Sequence, residues 1–272
     1  MSEFAASERF QFGENWRRFL SVIDEVKISH AEERLYELVG DLRGKSFLDV
    51  GSGSGIHSLA AIKLGASRVL SFDYDEQCVA CTNELKRRFA PLANWQIEHG
   101  SALDVSYLQS IGKFDVVYSW GVLHHTGQMW KSFDLITVPV EDTLAIAIYD
   151  DEGRKSRFLL GWKKLYVHSP RAIQKVLELL TFVATWGKAF LVKPIRTVRN
   201  WKAYSRNRGM SAWHDVVDMA GGYPFEVAKP GDVFSFFYQR GFKLTKLTTV
   251  TRHGLNEYVF CRSTASTPPT KT

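Results

Sequence analysis

Leu48-Asp49-Val50-Gly51-Ser52-Gly53-Ser54-Gly55 is the stretch on which the reading of the whole chain turns. Residues 46–50 are short, apolar and followed by glycine, the pattern of a buried parallel strand. Glycines then alternate through the turn, and residues 56–64 continue with helical periodicity. A strand that passes through such a turn into a helix lets the backbone approach a ligand closely. It also offers the free amides of the helix start to an anionic group. Asp73 stands 18 residues beyond Gly55, at the end of the next predicted strand, 69–73. A carboxylate in that place can accept hydrogen bonds from both hydroxyls of a ribose. Turn, preceding strand, following helix and distant acid together point to a nucleoside-type ligand.

Outward from this stretch the chain alternates. A helix is predicted over 75–89, strands over 95–99 and 114–120, a helix near 128–135 and a fifth strand over 144–149. Such alternation predicts an α/β fold, an open parallel sheet covered on both faces. Residues 1–30 are amphipathic and aromatic, with Phe4, Phe10, Phe12, Trp16 and Phe19 mostly at helical intervals, and 31–39 reads as a helix. After Asp150 the rhythm breaks, and from 151 to about 230 the pattern is helical. Between Gly153 and Arg208, fourteen Lys and Arg stand against the single acid Glu178, a local balance of +13. The whole chain carries only +6, so the remainder nets −7. A helix over 231–240 and strands over 243–251 and 257–261 close the chain. The expected organisation is an N-terminal helical lid (1–44), a cofactor-binding α/β core (45–150), an inserted basic helical cap over the substrate (151–230), a closing helix and strand pair (231–262) and a flexible polar tail (263–272).

With 272 residues, 45% of them hydrophobic and 24% charged, the composition is that of a globular chain and excludes wholesale disorder, a collagen-like repeat or a disulfide scaffold. The three cysteines, Cys78, Cys81 and Cys261, cannot all pair, and a reduced, cytoplasmic chain is the economical expectation. Cys78-Val-Ala-Cys81 lies mid-helix rather than at a helix start, which argues against redox chemistry. The N-terminus is acidic and has no apolar run, and the most apolar stretch, 176–192, is short and contains Glu178 and Lys188, so neither a secretory signal nor a membrane span is expected.

Nicotinamide-binding chains favour G-x-G-x-x-G, whereas here the pattern is Asp-x-Gly-x-Gly-x-Gly. With Phe72-Asp73-Tyr74-Asp75, Gly100-Ser101-Ala102-Leu103-Asp104 and the run from Phe114 through Ser119-Trp120-Gly121-Val122-Leu123-His124-His125, the sequence resembles the class I S-adenosylmethionine-dependent methyltransferases. The resemblance covers roughly residues 45–150 and the final strand pair. It implies a Rossmann-like seven-stranded sheet whose last strand runs antiparallel, with S-adenosylmethionine as cofactor and S-adenosylhomocysteine as product. It further implies that Gly51, Ser52, Gly53 and Gly55 line the methionine moiety and that Asp49 orients its ammonium group. Asp73 would take the ribose hydroxyls, with Tyr74 beside the adenine and Ser101 and Ala102 along the adenine edge, although many members carry Asp where Ser101 stands. Ser119 and Trp120 would face the cofactor from the fourth strand.

The sulfonium methyl is already activated, so positioning the acceptor and excluding water supply much of the rate, and a base is needed only where the acceptor must lose a proton early. His124 and His125 follow the fourth strand at the mouth of the sheet, and this pair is frequent in the ubiquinone-biosynthesis type that the chain resembles. They are the candidate catalytic residues, together with His214; the alternative is that one caps a helix and the other packs. Tyr149-Asp150-Asp151 ends the fifth strand, where Tyr149 is a candidate substrate contact. A catechol-type metal site would also need an acid where Ser119 stands, so no metal is expected.

The blocks Ser211-Ala212-Trp213-His214-Asp215 and Gly221-Gly222-Tyr223-Pro224-Phe225-Glu226 read as a pocket wall, with Trp213, Tyr223 and Glu226 as substrate contacts. They could equally be core residues that tie the cap to the body. Together with Phe12-Gly13-Glu14-Asn15-Trp16 they resemble a bacterial subgroup of these enzymes, and Trp16 is a candidate lid over the cofactor.

The basic cap fits a solvated face, an anionic or phosphorylated acceptor, or interfacial membrane contact. Nucleic acid ranks lower, because Ser119-Trp120-Gly121-Val122 stands where amino-methylating nucleic-acid enzymes carry Asn/Asp-Pro-Pro-Tyr/Phe. The expectation is methyl transfer to a small anionic or lipophilic acceptor, oxygen before nitrogen or carbon. The competing readings are a membrane-surface methyltransferase acting on a lipid or polyprenyl acceptor, and an NAD-type oxidoreductase.

Overall fold

β1 (Ser46–Val50) sends its side chains alternately to two apolar layers, which is what a strand buried on both faces requires. In the computed structural model, which describes residues 23–208, 212–250 and 254–263, Leu48 and Val50 enter one layer with Leu70, Phe72, Phe133 and Phe237. Phe47 enters the other with Leu59, Val69, Leu85 and Trp95. Helices supply the outer walls. α1 (Glu25–Val39), α2 (Ile56–Lys63) and α3 (Glu76–Phe89) contribute to the second layer, and α5 (Met129–Ile136) and α11 (Pro230–Tyr238) to the first.

The sheet has seven strands in the order β3-β2-β1-β4-β5-β7-β6. β2 (Arg68–Asp73), β3 (Trp95–His99), β4 (Phe114–Trp120) and β5 (Val140–Tyr149) join β1 in parallel. β7 (Leu255–Arg262) lies antiparallel between β5 and β6 (Phe242–Thr248). This is the Rossmann-like seven-stranded sheet that the sequence resemblance implies, with the last strand of the chain reversed. Strand order changes direction between β1 and β4, so a crevice opens at the carboxyl ends of those strands, where open α/β sheets bind ligands. Register brings the ends level: Val50 pairs with Phe72, and Asp49 with both Ser71 and Tyr118.

Some boundaries differ from the sequence reading. α1 begins at Glu25 rather than near residue 31, because the Asp24 side chain caps it by accepting from Lys27 N at 2.9 Å. Asp75 is likewise the cap of α3, accepting from Gln77 N, and not its first residue. α4 (Val105–Ser110) had no sequence prediction; it is six residues long and is capped by Asp104. β5 starts four residues earlier than its apolar run, through the exposed Glu141 and Asp142.

Between β5 and α11 the described residues form the helices α6 (Arg154–Val167), α7 (Arg171–Phe182), a π turn (Val183–Gly187), α8 (Lys188–Val192), α9 (Pro194–Arg208) and α10 (Ala212–Gly221). Tyr166, Leu177 and Ala220 are buried together, flanked by Trp162. Phe182, Trp186, Phe190 and Trp201 form an aromatic cluster with centroids 4.9–6.4 Å apart. The chain leaves the sheet at Tyr149 and returns beside it, where Ala228 N donates to Tyr149 O at 3.1 Å. Among the described residues no helix is long and apolar enough to cross a membrane.

Candidate functional site

A cleft of about 980 Å³ opens at the strand ends. Its inner half is made by the turn after β1. Gly51 has φ 76°, and a Cβ there would stand 2.4 Å from Val122 Cγ1, so the turn closes only with glycine. Gly53 N donates to Asp73 Oδ2 at 2.9 Å, which ties the turn to the end of β2, and Asp75 N donates to Oδ1 of the same carboxylate. Asp49 lies beneath the turn at the end of a buried polar chain. Trp95 Nε1 donates to Ser71 Oγ at 2.7 Å, Ser71 and Ser58 share a 2.7 Å hydroxyl contact, and Ser58 Oγ donates to Asp49 Oδ2. The Trp95 N–H can only donate, so the chain is polarised toward the Asp49 carboxylate.

Burial pushes both carboxylates up, Asp49 to about 7 and Asp73 to about 6. Hydrogen bonds pull each partly back, and the charge of Asp73 adds to the rise at Asp49. Two desolvated carboxylates in one cleft favour a ligand that brings positive charge and hydroxyl donors. A pyrophosphate beside Asp49 would meet like charge. This pair of acceptors therefore fits the ammonium, sulfonium and ribose groups of S-adenosylmethionine better than a dinucleotide.

Of the residues singled out for the cofactor, Asp49, Gly51, Ser52, Gly53, Asp73, Tyr74, Ser101 and Ala102 line this cleft, as does Trp120. Tyr74 leans on His99 with centroids 6.0 Å apart. Gly55 and Ser119 are placed elsewhere. Gly55, with φ 80°, packs on Thr82 of α3, and Ser119 is buried with Oγ donating to Val50 O at 3.1 Å, joining β4 to β1. Trp16 lies outside the described residues. One lip had no sequence signal: Glu257 on β7 accepts from Trp120 Nε1 at 3.0 Å and from Arg34 of α1 at 3.3 Å.

The outer half carries His125, Thr126, Tyr149, Asp215, Asp218 and Tyr223. Pro224 O accepts from His125 Nδ1 at 2.6 Å, so the proton sits on Nδ1 and the lone pair on Nε2. Burial depresses His125 to about 4, and the ring is neutral at pH 7. His124 does not line the cleft. It is fully buried, 4.3 Å from the Tyr149 ring, neither ring nitrogen has a hydrogen-bond partner among the described residues, and burial holds its pKa well below the usual histidine value.

The remaining pocket-wall candidates separate. Tyr223 lines the cleft, whereas Trp213 stands against Phe182 at 6.2 Å and is over a third exposed. Glu226 also stands outside the lining, and its Oε2 accepts from Met129 N at 2.9 Å, capping α5 from 97 residues away. The His214 side chain is outside the described part of the molecule. Lys163, which no sequence pattern marked, is 4% exposed and donates to the carbonyls of Asp218 and Met219 at 3.3 and 2.7 Å. It satisfies the end of α10 and so holds Asp218 at the cleft; burial lowers it to about 8.

The family model of the ribosomal protein L11 methyltransferases (PrmA) matches residues 31–119, the segment that builds the inner half of the cleft. Among solved structures, magnesium protoporphyrin IX methyltransferase from Synechocystis with bound S-adenosylhomocysteine superposes with a TM-score of 0.55 at 15% identity, over 92% of this chain and 94% of that one. The same enzyme with bound S-adenosylmethionine gives 0.54 at 15% identity, over 92% and 90%. An O-methyltransferase family protein from Burkholderia thailandensis gives 0.54 at 13% identity, over 88% of this chain and 57% of that one. The fold is that of the class I S-adenosylmethionine-dependent methyltransferases. Taken with the family model on residues 31–119, about a third of the chain, this fold supports S-adenosylmethionine-dependent methyl transfer as the activity. Methyl transfer displaces hydride transfer as its chemistry.

Proposed function

We propose that the chain methylates a small-molecule acceptor, at oxygen first, held in the outer half of the cleft. The observation that carries this is continuity: one cleft runs from Asp49 and Asp73 to His125, Tyr149 and Tyr223. Small-molecule pockets run to about 300–1,000 Å³, so a cleft of about 980 Å³ has room for a nucleoside cofactor and a second small ligand. Asp73 would hold the ribose and Asp49 the ammonium group, with Tyr74, Ser101 and Ala102 bordering the adenine. Bound there, S-adenosylmethionine supplies an activated methyl group. What remains for the chain is to aim an acceptor and keep water out.

His125 suits the first task. A neutral ring with a value near 4 is a weak base, so it accepts a hydrogen bond from the acceptor hydroxyl and orients its lone pair rather than removing the proton beforehand. Tyr149 and Tyr223 offer ring faces and phenol groups as walls. Asp215 and Asp218 of α10, held by Tyr204 and Lys163, make the outer rim acidic, which favours a neutral or lipophilic acceptor over a free anion at that point. The test is radiolabelled methyl transfer to pools of phenols, carboxylic acids and amines, with protein and RNA pools alongside. Label in an extractable oxygen ester or ether is the expected result; label confined to macromolecules would overturn the reading.

A further inference from the structure

α7 is turned inside out. Its Ile173, Val176, Leu179, Leu180 and Val183 side of the helix path is about half exposed at every position. At about 100° per residue these five fall within an arc of roughly 120°. The opposite side carries Glu178 and Thr181, buried, with Tyr166 donating to Glu178 at 2.9 Å and Trp162 Nε1 to Thr181 at 3.2 Å. A helix on an aqueous surface does the reverse. The aliphatic exposure continues beyond the π turn, where Leu191 is 86% and Ile195 87% exposed. Exposed Lys175, Lys188, Lys193, Arg196 and Arg199 are interleaved with these side chains, and residues 153–208 together net +13.

We infer that this face docks on an anionic phospholipid bilayer. Aliphatic side chains at this density seek an apolar phase, and the surrounding cations seek the phosphate headgroups above it. A second copy of the chain is a poor occupant, since it would oppose two faces of the same strong positive charge. The lipid itself is the ligand of this surface, which is separate from the cofactor cleft and does not depend on which acceptor the cleft takes.

Flotation of the full chain with vesicles of phosphatidylcholine alone, or of phosphatidylcholine with phosphatidylglycerol, tests this. The chain should float with the anionic vesicles at low salt and stay behind with the neutral ones. Two triple variants, Leu179→Gln/Val183→Gln/Ile195→Gln and Lys188→Glu/Lys193→Glu/Arg196→Glu, should each lower partition more than tenfold. Calorimetric binding of S-adenosylhomocysteine, read on the same samples, should be unchanged, so loss of docking and loss of the cofactor site are told apart. Should a triple variant lose its fold, Ile195→Gln alone, at the most exposed position, should still lower partition. No flotation of the wild-type chain, equal flotation with neutral vesicles, or a glutamine variant that floats like wild type would each overturn the inference. So would light scattering that finds a wild-type dimer which the glutamine variant converts to monomer.

Discussion

The two halves of the cleft are built on opposite plans. In the inner half, Asp49, Gly53 and Asp73 come from strand ends or the turn that follows one, and the parallel register with a single turn amide brings them together. The outer half is assembled over long distances. His125 is set by a carbonyl 99 residues away, α5 is capped from 97 residues away, and α10 is held by a lysine on α6 some 55 residues before it. The inner half is thus a property of the sheet, whereas the outer half exists only once the helical segment has folded back to Ala228. Substitutions in the first should change cofactor affinity, and substitutions in the second should change turnover.

The largest effect is expected at Gly51. In Gly51→Ala the left-handed backbone and the Val122 side chain both oppose the new methyl group. Loss of about 2–4 kcal/mol in urea unfolding, with loss of S-adenosylhomocysteine binding, is expected. An alanine variant that binds like wild type would break the claim that this turn is fixed by close packing.

Acidity sharpens the comparison next. Asp49 and Asp73 sit near 7 and 6 when folded, against an ordinary 3.8, so the folded chain binds their protons more tightly than the unfolded chain does. The free protein therefore loses stability as pH rises from about 4 to about 7 through these two groups. Cofactor binding calls on the ionised forms and should run the other way, with affinity for S-adenosylhomocysteine falling roughly tenfold or more from pH 8 to pH 5.5. Melting scans and calorimetry across this range should show the two opposite slopes; parallel slopes would remove the carboxylates from the site.

In the outer half, His125→Asn and Tyr149→Phe should lower kcat about tenfold to a hundredfold through misplacement of the acceptor, with cofactor affinity within about twofold of wild type. An equal loss of cofactor affinity would erase the division between the halves. Glu226→Gln should have the smallest effect, about 1 kcal/mol of stability from a weakened cap on α5, with kinetics unchanged. A clear rise in KM would return Glu226 to the pocket wall.

The same contrast explains what the sequence made legible. β1, its glycine turn and the acid at position 73 are local, and each is dictated by backbone geometry that leaves a mark in residue type. Register then does the rest. Ser58, Ser71 and Trp95 left no mark, because a serine on a helix and a serine on a strand reveal nothing until the strands pair. Lys163 read as one of fourteen basic residues in a charged segment, and only the end of α10 shows why it is buried. Glu226 has the residue type of a pocket acid, yet it is consumed by a cap that no sequence spacing reveals. Gly55 and Ser119 belong to the right motifs but face the packing side of them.

The most direct measurement is calorimetry of S-adenosylhomocysteine with the folded wild-type chain and with Asp73→Ala. One-to-one binding at about micromolar affinity is expected for the wild type, weakened by about 1–3 kcal/mol in the variant as charge-assisted hydrogen bonds to the ribose are lost. Equal affinity in the two proteins, or no binding by a wild-type sample shown to be folded, would contradict the placement of the cofactor between Asp49 and Asp73.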